Sequence, residues 1–132
     1  VGRYTLTKDD YLNQRKFNDG VVQNNYQIDI HPNEHGGEAT LVSLPADSFH
    51  EIPFGSLLPQ GIDNLLVAGR CISTDFACQA AIRIIPNCRN LGEVAAQAAS
   101  LAIKTGRPLP DLGIALRQEL IERGLLLASA PN

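Results

Sequence analysis

The residues best suited to chemistry lie between Leu65 and Gly92. Leu65-Leu66-Val67-Ala68 is a short apolar run ending in Gly69 and Arg70, and Ile85-Pro86-Asn87-Cys88 opens a long helical pattern. A glycine at a strand end lets a ligand touch backbone. A helix start presents unpaired N–H groups and a partial positive charge, which stabilise an electron-rich carbonyl or a developing anion. Gly92 removes a side chain where close packing is wanted. Arg70, Arg83 and Arg89 surround these pieces, and a guanidinium fork suits phosphate or carboxylate. Arg70 is the one expected to reach phosphate, although surface salt bridges would account for the arginines equally well. The same pattern also describes a buried strand with a helix packed on it.

Asp29 and His31 share one face of an alternating segment and, with Arg83, are candidates for the border of a substrate cavity. His31 and His35 have helix-like ligand spacing, but Pro32, Gly36 and Gly37 oppose a helix there, so no metal site is expected. Cys71, Cys78 and Cys88 lack the C-x-x-C spacing of zinc or redox motifs and read as reduced thiols. Cys88, at a helix start, is the candidate for redox activity. Ser56 lacks the G-x-S-x-G context of a hydrolase nucleophile, which removes acyl transfer.

These groups need elements to position them. Arg3 to Leu6 reads as a strand. Thr7 and Asp10 form the capping pattern of a helix over Lys8 to Arg15. Tyr26 to His31 alternates as a strand, and Ala39 to Leu44 reads as another, stopped by Pro45. Ile52 to Pro59 is extended and irregular. Leu65 to Ala68 suits a strand buried on both faces. Arg70 to Ile85 has no clean period. The strongest helix runs from Pro86 to about Thr105, with Gly106 as its end cap and Leu91, Val94, Ala95, Ala98, Leu101 and Ala102 as its apolar stripe. Asp111 starts a last helix that reaches Arg123-Gly124. Residues 125–132 read as a flexible tail.

Composition bounds the rest. The chain has 132 residues, 44% hydrophobic and 19% charged, which argues for a folded domain rather than disorder. A net charge of −3 gives no general pull on nucleic acid or an anionic membrane. No apolar run reaches the roughly 18 residues of a membrane span. Three cysteines exclude a fully paired disulfide scaffold and favour a reducing, cytoplasmic setting. The absence of any Met, even at position 1, suggests a piece of a larger protein.

Asn64-Leu65-Leu66-Val67-Ala68-Gly69-Arg70-Cys71-Ile72-Ser73, then Gln79-Ala80-Ala81-Ile82-Arg83-Ile84-Ile85-Pro86-Asn87-Cys88 and Leu91-Gly92, resemble the C-terminal part of FAD-dependent oxidoreductases. The nearest likeness is to the bacterial group related to the flavoprotein parts of heterodisulfide and fumarate reductases. Tyr4-Thr5-Leu6-Thr7 with Asp10, Tyr26 to His31 and Ile52 to Pro59 follow the same order, so the resemblance spans Val1 to about Gly124. It implies an α/β or α+β fold: the C-terminal fragment of a Rossmann-like flavoprotein, with a few strands and two main helices. It implies that Val67 to Arg70 lies along the ribityl and pyrophosphate of FAD. It also implies that the helix from Pro86 points its N-terminus at the pyrimidine edge of the flavin, where amides near Asn87 and Cys88 stabilise negative charge. The implied contacts are Ala68, Gly69, Arg70, Ile85, Pro86, Asn87, Cys88, Leu91 and Gly92.

The sequence departs from the family in lacking the Gly-x-Gly-x-x-Gly fingerprint and the acidic ribose partner. An N-terminal dinucleotide-binding domain or chain is therefore the expected partner. Alone, the chain should bind FAD weakly or not at all and catalyse nothing. Its Ala-rich helix face and Leu65–Ala68 run, left bare, should drive homo-oligomers. The alternative is a non-catalytic structural or assembly module that binds no flavin.

Overall fold

A computed structural model describes residues 1–31 and 39–132. Four helices and two small antiparallel sheets make a small α/β fragment, in the expected class. The loop from Pro32 with His35 lies outside the described residues.

The first helix, α1 (Lys8–Leu12), starts as its sequence dictates. The Thr7 hydroxyl accepts the Asp10 N–H at 3.3 Å, and the Asp10 carboxylate accepts the Thr7 N–H at 2.9 Å. It stops before Arg15 because Gln14 adopts a left-handed backbone, φ 51°. Arg15 instead folds back, and its guanidinium donates to Asp10 at 2.9 Å. Tyr11 is fully buried and fixes the helix to the core.

The centre of the molecule is an antiparallel pair, β1 (Gly20–Asn24) with β4 (His50–Pro53), running from Gly20 opposite Pro53 to Asn24 opposite His50 with a register shift between Gly20 and Val22. All four β4 residues are buried, including His50 and Glu51. A smaller pair joins β2 (Ile28–Ile30) to β3 (Thr40–Val42), inside the two segments expected as strands, Tyr26 to His31 and Ala39 to Leu44. Arg3 to Leu6 is not a strand; Gly2 and Leu6 make only isolated bridges, to Pro59 and Thr74. After β4 the chain turns through one 3₁₀ turn, Phe54–Leu57, in keeping with its irregular sequence.

Leu65 to Ala68 corrects a second strand expectation. The run has no strand neighbour; Val67 N–H donates to Leu57 O at 2.9 Å, and Leu65 is 45% exposed. Leu66 and Ala68 pack against the edge of the core rather than inside a sheet. The unpatterned stretch after it holds a 3₁₀ turn, Gly69–Cys71, and α2 (Phe76–Ile82). Asp75 organises this region by capping two helices at once. Its carboxylate accepts Cys78 N–H at 2.7 Å for α2 and Lys8 N–H at 2.7 Å for α1.

Helix α3 (Ile85–Thr105) has Pro86 in its first turn and Gly106 as a left-handed cap, φ 66°, donating to Ala102 O. Leu91, Val94 and Ala98 bury the expected stripe. Asp111 closes a 3₁₀ turn instead of starting the last helix, so α4 (Gly113–Glu122) begins slightly later and buries Leu116 and Leu120. Beyond it, Leu126 is buried, Gln23 bonds Leu127 at 2.8 and 3.2 Å, and Ser129 meets Arg117. Among the described residues no helix is long and apolar enough to cross a membrane.

Candidate functional site

The end of α2, the start of α3, the Gly69–Cys71 turn and β2 converge on an open cleft of about 470 Å³. Its walls are Tyr26, Asp29, Arg70, Ala80, Arg83, Ile84, Ile85 and Pro86. Arg83 is the knot. It is the C-cap that follows α2, and its carbonyl accepts the Arg70 Nε–H at 3.1 Å and the Cys88 S–H at 3.7 Å. Its own Nη2 donates to Asp29 O at 3.1 Å. Each arginine is thus held by one donor. No carboxylate of the described residues lies within 4.0 Å of Arg70 or Arg83.

The start of α3 is bare. Ile84 offers no side-chain cap, Pro86 has no N–H, and Cys88 N–H returns to Ile84 O at 3.1 Å. Among the described residues the N–H groups of Ile85 and Asn87 have no acceptor. The Ile85 side chain is 77% exposed beside them. Gly69 takes φ +82°, a conformation that strongly favours glycine. A Cβ there would stand 4.0 Å from Cys88 Cβ, so the turn lies directly against the helix start. A Cβ at Gly92 would meet nothing within 4 Å. Gly92 sits seven residues beyond Ile85, on the same helix face.

The structure therefore gathers Gly69, Arg70, Arg83, Ile85, Pro86 and Asp29, with half-buried Ala68 and Cys88 alongside. It does not bring every candidate to the surface. Leu91 is fully buried. Asn87 is buried with its side chain directed inward and is not among the walls of the cleft. His31 has an exposed ring 3.4 Å from the Asp29 carboxylate. Arg89 is exposed.

All three cysteines are free, and burial pushes the Cys78 thiol well above its ordinary range. No cluster of metal-ligating groups occurs among the described residues. Sequence reasoning missed Ala80 and Ile84 and took Tyr26 only as the start of an alternating strand. The available signal was Ile84 itself, the residue that must cap a helix opening with proline. A second hollow, about 240 Å³ between β1, α3 and α4, contains one charged wall residue, Glu93, and gathers none of the candidate chemistry.

No curated protein and no solved structure matched the chain. The family model described as FAD dependent oxidoreductase matches residues 1–121, from the first residue almost to the end of α4. With that match covering nearly the whole chain and every wall of the cleft, the chain belongs to the FAD-dependent oxidoreductases, whose cofactor in the intact protein is FAD.

Proposed function

We propose that this chain supplies the flavin-facing part of an FAD-dependent oxidoreductase. The start of α3 and the Ala68–Arg70 turn lie against the cofactor, and Asp29, His31 and Arg83 border the substrate. The observation that carries this reading is the cleft itself. It joins Arg70 of one turn to Arg83 and the uncapped start of α3 on the next segment, without an acidic side chain on the arginines among the described residues.

The residues fit the group. Ile85 and Asn87 offer two amide donors to an electron-rich heteroaromatic edge, where the helix dipole adds positive potential. Arg70 and Arg83 keep donors for phosphate or a substrate carboxylate. Gly69 and Gly92 leave the backbone approachable, while Ile85, 77% exposed on the cleft wall, gives an apolar surface for the ring. Bound FAD supplies the hydride acceptor that no side chain of this chain can supply. The chain's own part is to orient the ring and to stabilise negative charge developing at its edge.

The remainder of the reading follows from what this segment lacks. Without the Gly-x-Gly-x-x-Gly cradle, a dinucleotide-binding domain or chain completes the site, and this chain by itself catalyses nothing. Exposed Leu65, Ile62 and Ile103 favour self-association when that partner is missing. The heterodisulfide and fumarate reductase flavoproteins are the proposed relatives, and the free thiols suit the cytoplasm.

The test is an FAD titration of the product of the whole gene, followed by quenching of flavin fluorescence, with Gly92→Leu as the probe. Nothing blocks a side chain at Gly92 in the fold, and losing a helical glycine stabilises a helix by roughly 1 kcal/mol. The expected result is FAD affinity lowered about tenfold or more (about 1.4 kcal/mol) with thermal stability kept or raised. Unchanged affinity in a folded variant contradicts the reading.

A further inference from the structure

Behind the cleft, three buried polar side chains form a hydrogen-bonded line. Asn87, in the first turn of α3, donates from Nδ2 to Asn24 Oδ1 at 2.7 Å, and Asn24 Nδ2 meets His50 Nε2 at 2.8 Å. All three are at most 4% exposed. Backbone groups fix the polarity at both ends. Asn24 Oδ1 also accepts the Tyr26 N–H at 3.1 Å, and Asn87 Nδ2 also donates to Ala81 O at 3.4 Å. A backbone N–H can only donate and a carbonyl can only accept, so neither amide can be flipped. Asn24 Nδ2 is therefore the donor, and His50 must present a bare Nε2, with its proton on Nδ1.

We propose that Asn24 is a positioning residue of the cofactor cleft and that neutral His50 holds it in the working orientation. One oxygen of Asn24 ties together two parts of the cleft, the Tyr26 backbone and the first turn of α3. Neither Asn24 nor His50 lines the cleft; both act through Asn87 and the Tyr26 backbone.

A proton added to His50 would turn Nε2 into a donor facing a donor. Asn24 could relieve that only by rotating its amide, which would set Nδ2 against the Tyr26 N–H and Asn87 Nδ2. Acid therefore loosens the helix start.

The groups around His50 are known. Tyr11 of α1 lies edge-on at 5.1 Å between ring centroids. Asp10 of the same helix and Glu51, next along β4, favour the charged imidazole, and Lys16 opposes it. Burial outweighs them all and keeps the ring neutral.

The proposal rests on the flavin lying at the start of α3, and the test separates the two ideas. In the FAD-loaded product of the whole gene, hydrogen exchange of the Cys88 amide reports the helix start, and the FAD dissociation rate reports the site. Asn24→Leu should lower protection of Cys88 about tenfold or more and speed FAD loss. His50→Gln, whose side-chain oxygen can accept the same bond, should match the wild type at pH 7. At about pH 4 it should also keep protection that the wild type loses.

Unchanged Cys88 protection in Asn24→Leu overturns the line of bonds. Lost protection with unchanged FAD release also overturns the positioning role, and traces the failure to the cofactor placement. If Asn24→Leu does not fold, equal acid loosening in wild type and His50→Gln overturns the proposal, and loosening of the wild type alone supports it.

Discussion

Arg117→Met leaves a carboxylate in the core without its cation. Glu51 is fully buried and Arg117 is 7% exposed, and their side chains meet at 3.0 Å. The same guanidinium donates to Gly20 O at 2.7 Å, to Ser129 O at 2.9 Å and to Ser129 Oγ at 2.8 Å. It thus joins α4, β1, β4 and the C-terminal segment. After substitution Glu51 keeps the Phe17 N–H at 2.9 Å and the Ser129 hydroxyl, but these neutral donors do not balance a buried charge. Removing one partner of such a pair costs about 3–5 kcal/mol. That is a large part of the ~5–15 kcal/mol that holds a small domain together. With a urea slope of about 1–3 kcal/mol/M, the unfolding midpoint should fall by roughly 2 M. Adding Glu51→Gln to Arg117→Met removes the stranded charge and should recover more than half of the loss. A single-variant cost under about 1 kcal/mol, or a double variant no better than the single, would refute the assignment of this pair as the main internal tie.

Acid should weaken the fold in two steps. Burial lowers the His50 pKa to about 4, against 6.5 unperturbed, so the unfolded chain takes up the proton first. Stability from this group is complete above about pH 6.5 and is lost as pH falls to about 4. The loss amounts to about 3 kcal/mol for 2.5 pKa units and should be absent in His50→Gln urea titrations. Asp10 acts lower. Burial alone would raise its pKa, but hydrogen bonds from Thr7, Arg15 and Tyr4 outweigh that and hold it below 3.8. Its contribution is present above 3.8 and disappears only as pH falls further. Thr7→Ala removes the reciprocal cap of α1 and should cost about 1 kcal/mol, a drop of roughly 4 °C in Tm by calorimetry, whereas Thr7→Ser should keep most of it.

Local rules made the ends of elements legible. Thr7 with Asp10, Pro86 and Gly106 each impose a backbone geometry on their own neighbours, and the helix boundaries follow them closely. Alternation likewise located β2, where Ile28 is buried and Asp29, on the other face, is half-buried. The central pair β1–β4 was invisible for the opposite reason. Gly20–Asn24 is buried almost throughout, and His50 and Glu51 look like surface residues until Asn24 and Arg117 are folded onto them. Those partners lie 26 and 66 residues away, beyond any local pattern. Leu65–Ala68 failed as a strand because an apolar run states only that it avoids water, and Leu66 and Ala68 do so by packing on the core from outside either sheet while Leu65 stays 45% exposed.

At the site, the bare helix start and Gly69 could be read from sequence. The inward turn of Asn87 could not, because its acceptor lies on β1. Asp75 was legible as a cap in hindsight, three residues before the Cys78 amide it accepts.

The most direct test of the flavin placement is a hydrogen-exchange footprint of FAD on the product of the whole gene, with and without the cofactor. The account predicts slowed exchange at the Ile85 and Asn87 amides, which have no protein acceptor among the described residues, together with Gly69 and Arg70. Slowing around Val21–Gln23 and Leu125–Leu126 instead, with Ile85 and Asn87 unchanged, would place the ligand in the other hollow and contradict it.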